Sequence, residues 1–158
     1  MASKRRLSRN NPHFPPRLKG KEMKDISPIV YPKQLPNTKA WKNTSIYVRL
    51  TAYGKCYTCG ASVPFKKLHA GHLIEKLGCA AIYFELDGIR GQCYRCNRLL
   101  HGNKAIFTLK LIDEIGEERV RELHKMASKP KFWRKNELDE IAERRGKYIK
   151  VIKYPKLK

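Results

Sequence analysis

Residues 56–103 read CYTCGASVPFKKLHAGHLIEKLGCAAIYFELDGIRGQCYRCNRLLHGN, and the fold turns on how this stretch is understood. It opens on Cys56-Tyr57-Thr58-Cys59-Gly60 and carries Cys93-Tyr94-Arg95-Cys96 near its end, two Cys-x-x-Cys pairs. A two-residue spacer lets both sulfurs of a pair face one ion, and four thiolates complete a tetrahedral Zn2+ site with bonds of about 2.3 Å. Gly60 suits the tight turn after the second cysteine. Disulfides fit less well, because no secretory signal precedes the pairs. A redox dithiol fits less well too, since the motif occurs twice and no βαβ pattern surrounds it. With cysteine at all four positions, the expected zinc is structural. The fifth cysteine, Cys79, sits among Gly78, Ala80, Ala81 and Ile82 and reads as a buried core residue.

Between the pairs, Lys66 to Ile74 alternates enough for a strand carrying His69 and His72, and Ile89 to Cys93 reads as a second short strand. From Cys96 the pattern predicts the start of a helix, on which Asn97 and His101, four apart, share a face. A hairpin bearing a histidine, packed on a helix that presents polar groups, can hold one divalent ion. Asn97 equally suits a helix N-cap, and His101 a helix end.

Working outward, residues 1–37 hold Pro12, Pro15, Pro16, Pro28, Pro32 and Pro36 among many Lys and Arg, which predicts an extended basic arm. Such an arm either orders on nucleic acid or serves as a solubilising tail. Residues 38–103 form the central unit, beginning with a helix capped by Thr38, with Trp41, Ser45, Val48 and Ala52 on one face and Gly54 at its end. Residues 104–158 read as a helical extension. One helix runs from Asn103 to Ile115 and stops at Gly116, a second runs from Glu117 to Ala127, and a third is capped by Asn136 and carries Leu138, Ile141 and Ala142. Phe132 and Trp133 lie in the linker before it, suited to the core or to stacking on unpaired bases. The basic end from Lys150 reads as a short strand or a tail.

The chain has 158 residues, with 35 Lys+Arg against 14 Asp+Glu and a net charge of +21. An excess of this size does nothing for folding and points to a polyanion, DNA or RNA. Of the basic residues, 13 precede Cys56 and 16 follow Asn103, so the flanks carry most of the attraction. Arg90, Arg95, Arg98, Lys66 and Lys67 flank the histidines and are expected to grip phosphates. No apolar run reaches the roughly 18 residues of a spanning helix, so no membrane is expected. His13 and His124 receive no role.

The ordered set Cys56-x-x-Cys59-Gly60, His69-Ala70-Gly71-His72, Gln92-Cys93-x-x-Cys96-Asn97 and Gly102-Asn103 resembles the NinG (Rap) recombination proteins of phages, and more broadly the HNH (ββα-metal) nucleases, over about residues 38–125. The resemblance implies an α+β fold: a zinc-stapled ββα-metal core with flanking helices and a basic N-terminal arm. It implies a metal-dependent DNA endonuclease acting on branched or Holliday-type intermediates in the cytoplasm of a bacterial host. His72 stands where the general base sits. Asn97 stands at a metal-ligand position, with His101 as a second ligand of Mg2+ or Mn2+. His69 takes the place of an aspartate and ligates the ion or orients the site. Two departures are visible: Gly71 occupies a position that is acidic in many HNH proteins, and the stretch Asp87-Gly88-Ile89 lacks the usual asparagine, leaving Asp87 as a stand-in. Symmetric cutting of a junction implies a homodimer.

Two other functions fit the charge and cysteines: a non-catalytic zinc-ribbon accessory protein, and an RNA or ribosomal binding protein. All three share one consequence. Affinity for nucleic acid should fall roughly 10³-fold or more between about 50 and 200 mM salt, because basic arms act by displacing counterions. Fluorescence anisotropy titrations measure this, and a flat salt response contradicts it.

Overall fold

The computed structural model describes residues 27–75 and 80–152. Cys79, residues 1–26 of the expected arm and residues 153–158 lie outside them. Where the sequence suggests an extended arm to residue 37, strand β1 (Ile29–Val30) already pairs with Trp133 and Arg134, and a 3-10 turn follows over Pro32–Asn37. Leu35 in that turn is 0% exposed. Proline density blocks helices and central strands, but it does not prevent a two-residue edge pairing or a tight turn.

Helix α1 (Lys39–Thr51) starts as its sequence predicts, with Thr38 Oγ1 accepting from the Trp41 amide at 3.2 Å. Its buried face is Ala40, Trp41, Thr44 and Val48. Strand β2 (His69–His72) pairs antiparallel with β3 (Ile89–Gln92), in the register His69–Gln92, Ala70–Gly91, Gly71–Arg90 and His72–Ile89. Cross-strand partners share a face. Ala70 and Ile89 therefore join Trp41 and Val48 of α1 in one apolar cluster. Gly91 lets α1 approach the sheet closely, since a Cβ there would lie 2.5 Å from that of Ala52.

Past β3 the expected helix at Cys96 does not form. Residues Arg95–Leu99 make one wide π-type turn, closed by the Leu100 amide on the Arg95 carbonyl at 2.9 Å. The chain then turns left-handed at His101 (φ 48°), Gly102 (φ 87°) and Asn103 (φ 47°) before α2 (Lys104–Ile115) begins. Asn97 and His101 are thus not on one helical face, and Asn97 lies inside the turn, not at a helix cap. Gly116 (φ 85°) breaks α2 from α3 (Glu117–Ala127). Phe107, Leu111, Val120 and Leu123 close a second cluster over Leu73, the residue after β2.

Strand β4 (Trp133–Arg134) completes the pair with β1, and α4 (Lys135–Val151) packs on α1 with Leu138, Ile141 and Ala142 in the first cluster. Asn136 does not cap α4. It lies in the first turn, where its own amide donates to Ser27 Oγ at 3.0 Å. Trp133 is partly buried against the first cluster: its indole donates to the Ala80 carbonyl at 2.8 Å and meets Phe84 edge-on. The fold is α+β, and among the described residues no helix is long and apolar enough to cross a membrane.

Because Leu35 belongs to this core, Leu35→Ala should destabilise the protein by about 2–5 kcal/mol. Equilibrium denaturation would report it, and an unchanged midpoint would return residues 27–37 to the status of a loose arm.

Candidate active site beside a four-cysteine metal centre

The sulfurs of Cys56, Cys59, Cys93 and Cys96 all lie within 4.8 Å of one another, with Cys59 and Cys93 at 3.9 Å across the two pairs. A tetrahedral ion bonded at about 2.3 Å to four sulfurs needs edges of about 3.8 Å, so this donor set fits Zn2+. Burial opposes ionisation of Cys56. Hydrogen bonds from the Cys59 backbone, the Thr58 hydroxyl, the Cys93 backbone and the Cys59 thiol outweigh it and bring this thiol down to about 6. The other three thiols shift upward, Cys93 and Cys96 chiefly through burial, so a metal, which binds thiolates, must displace protons from them.

Beside this centre lies a cleft of about 690 Å³. Of the residues singled out from sequence, His69, His72, Asn97, His101, Arg98 and Lys66 line it. His72 is only 7% exposed and stacks on Trp41, with ring centroids 5.0 Å apart. Its Nε2 lies 3.1 Å from the Tyr83 carbonyl. A carbonyl can only accept, so Nε2 carries the proton and, in the neutral ring, Nδ1 carries the lone pair. Burial, reinforced by Arg98 and Arg49, pushes His69 below the usual imidazole value. Its ring tilts against exposed Tyr94 at 5.8 Å. Burial also pushes the Tyr83 phenol up to about 12, so it stays neutral.

Arg90 is not in the cleft. It pairs with Gly71, so it faces away from His72 and toward α2, where it binds Glu114 at 2.9 Å and the Leu86 carbonyl at 2.8 Å. Asp87, the stand-in for the missing asparagine, binds Arg119 at 2.7 Å and is not among the residues lining the cleft. Arg95 and Lys67 are exposed and also stand outside it.

Three charged residues of the cleft escape sequence reasoning: Arg49, Glu75 and Lys104. Arg49 follows Ser45 by one helical turn on the cleft side of α1, a signal that could have been read. Lys104 donates to the His72 backbone carbonyl, and burial lowers its pKa against the opposing pull of Glu75. Nothing local marks it, because it depends on the left-handed turn that precedes it.

The family model described as the bacteriophage lambda NinG protein matches residues 17–154. The chain belongs to the NinG family. No curated protein and no solved structure matches it. The NinG match is wider than the motif-based resemblance at both ends. It takes in β1, the turn around Leu35 and the whole of α4, elements that pack with α1 in the first cluster.

The structure accounts for Gly71 in this NinG protein. A Cβ there would overlap Gln92 Oε1 and lie 3.0 Å from Asn97 Oδ1. An acidic side chain there would have to displace the buried Gln92 carboxamide, and Asn97 lies against the backbone one residue before His72. Gly71→Asp should therefore supply no ligand and instead destabilise the protein by about 1–3 kcal/mol or more through overpacking. Thermal unfolding of the variant would show it, and an unshifted midpoint would mean that this space is open.

Proposed function

We propose that this protein is a metal-dependent DNA endonuclease of the HNH (ββα-metal) type that cuts branched recombination intermediates, acting as a dimer. The observation that carries the reading is the bond from His72 Nε2 to the Tyr83 carbonyl, in a cleft lined by Arg49, Lys66, Arg98 and Lys104. That bond fixes the tautomer, so Nδ1 carries the lone pair; it is buried in this structure, and on this reading it takes a proton from the attacking water once substrate opens the edge of the cleft. Stacking on Trp41 holds the ring plane, and the four cations hold the scissile strand and offset the charge that builds on phosphorus. The leaving 3′-oxygen departs protonated by water.

Among the donors lining the cleft, the Asn97 carboxamide oxygen and the Glu75 carboxylate are the oxygen ligands that Mg2+ and Mn2+ favour, and the imidazoles of His69 and His101 are nitrogen donors better suited to transition metals. Asn97, His101 and His69 would hold the divalent ion, and when bound it supplies Lewis-acid stabilisation of the pentacovalent phosphate. The depressed pKa of His69 keeps its ring neutral, the form that ligates.

A second reading, a zinc-dependent nucleic-acid-binding accessory protein without catalysis, draws on one observation. Gly71 leaves no room for the carboxylate that HNH proteins often place before the base. A cleavage assay separates the two. On four-way junctions with Mg2+ or Mn2+, the wild-type protein should nick DNA and EDTA should stop it. His72→Ala should reduce the rate roughly 10²- to 10⁴-fold with junction affinity within about twofold. Equal cleavage by His72→Ala would remove it as the base, and no cleavage by the wild type would favour the accessory protein.

A further inference from the structure

Gln92 is the last residue of β3, and it is 0% exposed. A carboxamide taken fully out of water is costly unless its groups are used. Its Nε2 donates to Thr58 Oγ1 at 3.2 Å and to the Gly102 carbonyl at 2.8 Å. The carbonyl can only accept, which fixes the orientation of the amide. Thr58 lies inside the first Cys-x-x-Cys pair, and its hydroxyl lies 3.4 Å from Cys56 Sγ. Gly102 directly follows His101 in the left-handed turn. At the other end of the same group, Oε1 is buried with no hydrogen-bond partner among the described residues. It is wedged at Gly71, where Asn97 Oδ1 also lies. One side chain therefore reaches the four-cysteine centre through Thr58, and touches the strand of His72 and the turn that carries Asn97 and His101.

We propose that Gln92 is a positioning residue that couples the four-cysteine centre to the cleft. The bound metal fixes the first knuckle and with it Thr58. Thr58 and Gly102 fix the carboxamide. The carboxamide sets the spacing between β2 and the turn at 97–103, and hence how far Asn97 and His101 stand from His72. The orphaned Oε1 is the cost of that spacing, since a smaller apolar residue would avoid it but would let the strand and the turn close together. Loss of zinc therefore reaches the cleft by a defined route and not only by general unfolding. The effect on cleavage rests on the nuclease reading above, whereas the coupling itself is a property of the chain.

The test uses the zinc-loaded full chain with two separate variants. Gln92→Glu keeps the shape and removes the donor. Thr58→Val keeps the shape and cuts the link on the metal side, away from the cleft. Zinc content, the NMR signals of the Asn97 amide and of the His72 and His101 imidazoles, and kcat against KM on a four-way junction are measured. Zinc should stay at about one per chain, as four thiolate ligands dictate. The cleft signals should shift in both variants, and kcat should fall roughly ten- to a hundredfold with KM little changed. Cleft signals in Thr58→Val that overlay the wild type would overturn the coupling and leave Gln92 as packing alone. If Gln92→Glu fails to fold, Thr58→Val decides the matter. If the wild-type chain cleaves nothing, the nuclease reading fails, yet displaced cleft signals would still support the coupling.

Discussion

Four sulfurs drawn within 4.8 Å of one another are the constraint on which the rest of this molecule depends. The segment that they close holds a two-stranded sheet only four residues long, with short turns on either side. A sheet of that size is marginal on its own. Metal binding to four cysteines contributes on the order of 10 kcal/mol, comparable with the whole stability of an ordinary domain. The two apolar clusters then act from opposite sides, one through Ala70 and Ile89 and the other through Leu73. The hairpin is thus clamped at one end and covered by α1 and by the α2–α3 pair. A buried histidine can be held at a fixed angle on a strand this short only because of that arrangement.

Charge is distributed with the same economy. Arg90 and Arg119 look available in the sequence, but Glu114, Asp87, Glu122 and backbone carbonyls take up their donors, and they brace α2 and α3 against the loop before β3. Arg49, Lys66, Arg98 and Lys104 line the cleft and make no carboxylate ion pair among the described residues, although Arg49 donates to the Ser45 carbonyl and Lys104 to the His72 carbonyl. The net charge of +21 therefore overstates the number of cations free to meet a polyanion, while the cleft concentrates part of what remains.

Much of the architecture was legible because it is encoded locally. The Cys-x-x-Cys pairs, the Thr38 cap, the break at Gly116 and the limits of α2 and α3 each follow from a few adjacent residues. The failures are non-local. Helical spacing through Asn97 and His101 was overridden because Cys96 must turn its sulfur into the metal centre, which forces a wide turn and then a left-handed one. Both residues still line the cleft, by a different route. Arg90 was misplaced because its direction follows from the register of β3 on β2, in which His72 faces Ile89. Leu35 was missed because its partners in α1 and α4 lie far along the chain. Gln92 carries no local signal of its role, since a buried carboxamide cannot be told from an exposed one by sequence.

The same register bears on Gly71, one of the two positions where the chain departs from the HNH pattern that its motifs resemble. Gly71 and Gln92 project to the same side of the hairpin, and the carboxamide fills the volume that an acidic residue at 71 would need. The space on that side of the hairpin is thus taken by a neutral carboxamide that reaches Thr58 of the first cysteine pair. Among the described residues lining the cleft, Glu75 is then the one carboxylate, set against four Lys and Arg side chains. Electrostatics in such a cleft favour an anion first. On the nuclease reading proposed above, a divalent ion there would face like charges with mostly neutral ligands, and it would be well held only when phosphate oxygens complete its shell, the manner in which Mg2+ is usually bound.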